Sequence, residues 1–294
     1  MLDRGLDLAH LDATSDAETA AFNAHYAASH GAPLPAYDFW MSMDPGQVKR
    51  HRLQARWTAD EEGRSLPLHG TIAFLHLYAI YAYADGIRYE VSHAQSLGST
   101  RAAVLETLAL AFMHSGPRGM HAASDGARDL LDRWPVDSGA DILAAFPPGW
   151  NCDVSVLANG FDYTTPTWTA AELSTLTDWY RRHLGEVPAY VDFLRRSRPG
   201  ILKAWWARLE GAMRGALPIQ MLPFLMIHFN VARAVGPGIR EGVLLGRSFG
   251  LTESQIFEAI GWGALYGGPA AVSVAAQATE GLLDASRIEA GRQA

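Results

Sequence analysis

Cysteine is nearly missing: Cys152 is the only one in 294 residues. That excludes an intramolecular disulfide, CxxC redox chemistry and a cysteine-rich zinc site, and it fits a reducing compartment. Charge is sparse, at 19% of the chain, and 24 Lys+Arg against 31 Asp+Glu leave a net charge of −7. A sequence-independent grip on nucleic acid draws its affinity from Lys and Arg that neutralise phosphates, so no nucleic-acid partner is expected. Long apolar runs are missing too. Thr71–Ala84 is short and carries His76, and Ala259–Ala278 is broken by Gly267, Gly268 and Pro269, whereas a membrane span needs about 20 predominantly apolar residues. The N-terminal segment is dotted with acids and lacks the apolar core of a secretory signal. The mature chain is therefore expected to start near residue 1, to be cytoplasmic and to have no membrane partner. Glycine-rich phosphate loops, a G-x-S-x-G elbow and dinucleotide fingerprints are also absent.

What the chain has is an internal repeat. Displaced by 152 positions, the segment from Phe74 meets the segment from Met226: His76 falls on His228, Gly86-Ile87-Arg88 on Gly238-Ile239-Arg240, and Thr100 on Thr252. Glu106 meets Glu258, Gly116-Pro117 meets Gly268-Pro269, and Leu130-Leu131-Asp132 meets Leu282-Leu283-Asp284. From Phe74 to Asp132 there are 16 identities in 59 ungapped positions. Upstream the displacement is 154, and Tyr26, Gly31, Asp38-Phe39, Pro45-Gly46 and Lys49 meet Tyr180, Gly185, Asp192-Phe193, Pro199-Gly200 and Lys203. The expected organisation is a first unit over 1–133, a connector rich in Pro, Gly and aromatics over 134–169, and a second unit over 170–294. The connector's apolar side chains should pack against the units, unlike a polar tether.

Apolar residues recur at three- and four-residue spacing over Asp16–Ser29, Asp38–Asp60, Leu66–Ala84, Arg88–Leu97, Thr100–His114 and Arg118–Arg133. Gly98 with Thr100 reads as a stop and a new N-cap, and Gly116-Pro117 as a break. No segment alternates over a strand's length, so the fold class is all-α.

The run Ala94-x-x-x-Gly98, Thr100, Glu106 and Gly116-Pro117 resembles the carboxymuconolactone decarboxylase and alkylhydroperoxidase D-like superfamily, twice over. The resemblance implies small helical units that pair as a pseudo-two-fold intramolecular dimer, a further homo-oligomer (a trimer of fused pairs), and pockets between helices. The peroxidase branch carries C-x-x-C-x-x-x-H, whose positions here are Tyr83, Gly86 and Glu90, and Val235, Gly238 and Gly242 in the second unit. Dithiol peroxidase chemistry needs a thiolate and a resolving thiol and is excluded. The implied activity is cofactor-independent, metal-free acid–base chemistry, of the lyase or hydrolase type, on a small oxygenated acid or lactone.

Glu90-x-x-His93 puts a carboxylate and an imidazole on one helical face, a plausible acid–base pair. The second unit has Gly242 and Leu245 there, an asymmetry that a pair needed only for folding would not show. A surface ion pair of little energetic weight is the alternative. His69, His76 and Tyr83 recur every seven residues. His69 has no histidine opposite it and joins Glu90 and His93 as a catalytic candidate. His76, matched by His228, suits a buried structural role. His76, Tyr83, Arg88 and Trp40 are the candidate substrate contacts, Arg88 because a guanidinium near Glu90 can hold a carboxylate. A mononuclear metal site using His69 or His76 with Glu90 and His93, and a non-catalytic ligand-binding or scaffold protein, are the other readings.

Overall fold

The computed structural model describes residues 2–60, 67–136 and 142–283. Leu66, Asp284 and residues 137–141 of the connector lie outside them. The described residues form twelve α-helices, and their only β-structure is a two-residue antiparallel ribbon, Leu2–Asp3 (β1) with Leu6–Asp7 (β2). The fold is mostly helical, as its periodicity predicts; the ribbon is too short to show alternation.

The first six helices are α1 (Asp16–His30), α2 (Pro35–Met43), α3 (Pro45–Asp60), α4 (Pro67–Ile80), α5 (Ala84–Ser96) and α6 (Arg101–Arg133). Two short 3-10 turns follow, at Ile142–Ala145 and Ser155–Leu157. The last six are α7 (Ala170–Leu184), α8 (Ala189–Ser197), α9 (Pro199–Ala212), α10 (Met221–Ala232), α11 (Gly236–Ser248) and α12 (Glu253–Ala278). The helix expected over 38–60 is two helices. Asp44 leaves helical geometry (φ −153°, ψ 81°) and Pro45, which disfavours α geometry in the residue before it, opens the next. Gly116 and Gly268 both sit at left-handed φ (59° and 64°) ahead of a proline and bend α6 and α12.

Local features recur at the same displacement as the sequence. Ser15 with Glu18 and Thr169 with Glu172 form capping boxes, and Gly31 and Gly185 close α1 and α7 in left-handed geometry. Ala82 and Ala234 hold positive φ (56° and 55°) in the turns before α5 and α11. Each capping glutamate also anchors a buried lysine: Lys49 Nζ is 2.7 Å from Glu18 Oε1 and donates to the carbonyl oxygens of His10 and Ala13, while Lys203 Nζ is 2.9 Å from Glu172 Oε1 and donates to that of Thr167.

α4 and α10 are buried on nearly every side, including Leu68, Ile72, Leu75, Phe224, Ile227 and Val231. They pack on each other, α4 against α5 and α6, and α10 against α11 and α12. Contacts also cross the chain's midpoint: α3 lies against α12, and α9 against α6. The connector's Trp134, Ile142, Phe146, Trp150, Leu157 and Phe161 are buried in the main core. A smaller cluster of Leu6, Leu8, Phe22, Tyr26, Met41 and Val48 seats the ribbon on α1, α2 and α3.

Lys49 and its glutamate yield a stability prediction. Replacing Lys49 by Met strands its acceptors and should cost about 1–3 kcal/mol. The Glu18 carboxyl is held down from 4.5 to about 2, with desolvation opposing and the Lys49 hydrogen bond prevailing. A lowered folded-state pKa gives stability that is present above the unfolded value and is lost as pH falls through the folded one. Melting temperature should therefore drop between about pH 4.5 and 2, less steeply in Lys49→Met; identical acid limbs would contradict the coupling.

Candidate functional site

Residues of α4 and α5 that share a face open onto a cavity of about 300 Å³. On α4 these are Thr71, Phe74 and Tyr78; on α5 they are Gly86, Tyr89, Glu90 and His93. Steps of three and four keep each set on one helical face, while Ile87, Val91 and Ala94 of α5 point into the core. Gly86 has no room for a side chain: a Cβ would lie 2.4 Å from the Tyr83 ring and 2.7 Å from that of Tyr78.

The remaining walls come from elsewhere. α1 delivers His30 at its last turn, where the Gly31 cap ends the helix beside α5. The His30 ring stacks on His93 at 3.9 Å and on Tyr89 at 4.0 Å. The ribbon turn supplies Arg4, which donates to the Tyr26 hydroxyl, and Arg52 of α3 is paired with Asp3 at 2.9 Å. From the other half of the chain, α12 adds Trp262, Leu265 and Tyr266, and the Tyr266 hydroxyl is 2.7 Å from that of Tyr78.

The polar centre is Glu90 with the two imidazoles. Glu90 is 5% exposed, and its Oε2 has no hydrogen-bond partner among the described residues. His93 Nδ1 is 3.7 Å from that oxygen, too far for a hydrogen bond, and 2.9 Å from Thr71 Oγ1. Ser29 Oγ is 2.5 Å from His30 Nδ1. Burial pushes the Glu90 carboxyl up, partly offset by His93. Burial, then the neighbouring His93, holds His30 down to about 2, so its imidazole is neutral at ordinary pH. Burial also raises the hydroxyls of Tyr89, Tyr78 and Tyr266, which stay protonated. Among the described residues, His30, Glu90 and His93 form a group able to hold a metal ion, with ligand atoms all within 4.8 Å of one another.

The structure brings Glu90, His93 and Tyr83 to this cavity and leaves the other candidates away from its walls. His69 is on the opposite side of α4, stacked on Trp150 at 4.9 Å and 3.3 Å from the Glu258 carboxylate. His76 is buried with Nδ1 unpaired, and its low pKa follows from burial. Neither joins the metal-ligand group, whose second imidazole is that of His30. Arg88 pairs with Asp129 at 2.9 Å on the surface, and Trp40 is 46% exposed beside Phe39. His30 carries the same kind of asymmetry as Glu90: its partner at a displacement of 154 is Leu184.

A second cavity, of about 60 Å³, is lined by His76, Trp179, Tyr190, Leu225 and Phe229 and by twelve residues with counterparts in the first: Tyr180, Leu184, Trp205, Trp206, Leu209, Leu222, Met226, Glu241 and Leu245 together with Leu110, Met113 and His114. Displaced by 152 or 154, these positions correspond to Tyr26, His30, His51, Arg52, Ala55, Gly70, Phe74, Tyr89, His93, Trp262, Leu265 and Tyr266, all walls of the first cavity. Leu184 and Leu245 stand where the first has His30 and His93, and Gly242, where it has Glu90, packs so closely that a Cβ would lie 2.8 Å from Ile227 Cγ1. Trp206, fully buried, takes the place of Arg52.

No family model matches the chain, and neither the curated proteins nor the solved structures include a significant match.

An unpaired buried carboxylate oxygen costs folding free energy. In metal-free, EDTA-treated protein Glu90→Met should therefore raise stability by about 1–3 kcal/mol, read as a higher melting temperature. A lower one would mean that Glu90 serves the fold.

Proposed function

We propose that the chain is a carboxymuconolactone decarboxylase-like enzyme that transfers protons on a small oxygenated acid or lactone, with Glu90 and His93 as its acid–base pair and no thiol in its chemistry. The observation that carries this reading is Glu90 Oε2: it is buried, free of hydrogen bonds, 3.7 Å from His93 Nδ1, and set in the wall of a cavity of about 300 Å³. That volume is at the lower end of small-molecule sites. Thr71 orients the His93 ring, and the hydrogen-bonded Tyr78–Tyr266 pair, protonated at ordinary pH, leaves one hydroxyl free to donate to a substrate oxygen. Arg4 and Arg52 favour an anion.

In this reading residues 1–133 and 170–294 are two copies of one helical unit, joined by 134–169 and related by an approximate two-fold axis. The support is the shared order of helices, the matched capping boxes, the bends at Gly116 and Gly268, and the reciprocal contacts of α3 with α12 and α9 with α6. The second copy keeps the scaffold and has lost the site. Further assembly, most simply into a trimer of fused pairs, would cover exposed Phe39, Trp40, Met43 and Phe193. Among the described residues no helix is long and apolar enough to cross a membrane, and the lone Cys152 suits a cytoplasmic setting.

Incubating purified protein with small carboxylic acids and lactones, with mass detection, tests the activity. Once a substrate is found, His93→Ala should lower turnover roughly 10²–10⁴-fold with the melting temperature nearly unchanged. Equal turnover in wild type and variant would end the acid–base role. Elution of an unaltered bound metabolite, with no turnover, would make the protein a binder. A scattering mass equal to the 32.0 kDa chain would rule out the trimer.

A further inference from the structure

We propose that His30, Glu90 and His93 bind one divalent transition-metal ion of the Zn²⁺ or Fe²⁺ kind, through two imidazoles and one carboxylate, at the wall of the 300 Å³ cavity. The site takes up the metal reading left open by the sequence, with His30 in place of His69 or His76, a residue that the helix periodicity of α4 and α5 does not reveal.

Three independent features point to a cation. The first is geometric. The three ligand atoms lie within 4.8 Å of one another, and an ion about 2.0–2.1 Å from each nitrogen and oxygen requires closure by roughly an ångström, which side-chain torsions supply. His30 reaches the site from α1 and the other two from α5, helices that pack on each other, so two rigid elements present the set.

The second feature is an unanswered charge. Glu90 is 95% buried, yet Oε2 accepts no hydrogen bond among the described residues, and its nearest basic atom, His93 Nδ1, stands off at 3.7 Å. Buried carboxylates are paired, hydrogen-bonded or bound to a metal, and of the arginines that line the cavity, Arg4, Arg52 and Arg56, Arg52 is paired with Asp3 and Arg4 is held by the Tyr26 hydroxyl and ring. The rings are also held in place. Hydroxyls of Ser29 and Thr71 lie on Nδ1 of His30 and His93, the kind of outer contact that orients a ligating imidazole.

The third is the pattern of loss. In the second half of the chain all three positions change together, to Leu184, Gly242 and Leu245, although neighbouring Tyr26 keeps its counterpart Tyr180. A ligand set has no use for two of its members, so joint replacement is what a discarded metal site leaves behind. Two imidazoles with one carboxylate suit Zn²⁺ or Fe²⁺ better than Ca²⁺ or Mg²⁺, which prefer all-oxygen surroundings. Three protein ligands leave further coordination positions, as in catalytic sites.

The inference uses the side chains of the proton-transfer reading but does not depend on that chemistry, and the two fail separately. Full-length protein, stripped with EDTA, would be dialysed against Zn²⁺ and titrated with Co²⁺ while its visible absorption is followed. One equivalent of each ion should bind, Co²⁺ with intense low-symmetry bands. His30→Ala, Glu90→Gln and His93→Gln should each weaken binding by more than about tenfold. His93→Gln leaves the His30 ring packed on Tyr26 and Tyr89 and so guards against a His30→Ala variant that fails to fold, with circular dichroism melts as the check. His183→Gln, whose ring contacts Ser248 far along the chain, should bind like wild type. Absence of stoichiometric binding, or binding that all three variants retain, overturns the metal site. Turnover in EDTA-stripped protein that binds no ion would overturn it while sustaining the proton-transfer reading; ion binding without turnover on any acid or lactone would sustain it alone.

Discussion

Two helices with no polar face, α4 and α10, dictate the arrangement of the rest. A helix that is apolar all round gains nothing from a surface position and must be enclosed, and each is enclosed by the two helices that follow it and by the other member of the pair. Full burial of a Leu, Ile or Phe side chain contributes roughly 1.5–3 kcal/mol, so the nine that these two helices bury outweigh any local preference in the loops. Glycines and prolines then act as fittings: Gly116 and Gly268 bend the long helices α6 and α12 so that they follow the core.

Enclosure by successive helices leaves a gap on the α4/α5 face and another on the α10/α11 face. What distinguishes the gaps is side-chain chemistry. Around Leu184, Trp206 and Leu245 the space closes to about 60 Å³ with a largely apolar lining. Around His30, Arg52, Glu90 and His93 it stays near 300 Å³ and holds polar groups that do not satisfy one another. One cavity is lined for packing, and the other holds a buried carboxyl group whose Oε2 accepts no hydrogen bond among the described residues.

The cross-chain contacts give the second half a part in the first cavity even without a polar centre of its own. Trp262 and Tyr266 of α12 close one side of the site, and Tyr266 fixes Tyr78 through their paired hydroxyls. Reciprocally, Leu110, Met113 and His114 of α6 line the apolar cavity. Neither half could be removed without opening a wall of the other's cavity.

Sequence by itself determined what is local or periodic. Helix faces follow from three- and four-residue spacing, the new helix start from Thr100 and its counterpart Thr252, bends from Gly-Pro pairs, and the absence of dithiol chemistry from the single cysteine. The shared face of Glu90 and His93 belongs to this class, because one helical turn fixes it. Proline at 45 splits a continuous apolar pattern, and periodicity alone read through that break. Tertiary structure decided which faces meet. His69 and His76 are on α4, close in sequence to the site, yet they turn away from it, since the face of α4 that opens onto the cavity is the one with Thr71, Phe74 and Tyr78. His30 is 60 positions from Glu90 and arrives only because α1 docks on α5. Hydrogen bonds along a helix encode spacing over a turn or two; which side chains converge across tens of residues is settled when apolar faces choose their partners, and that choice is made by the packing of the whole core.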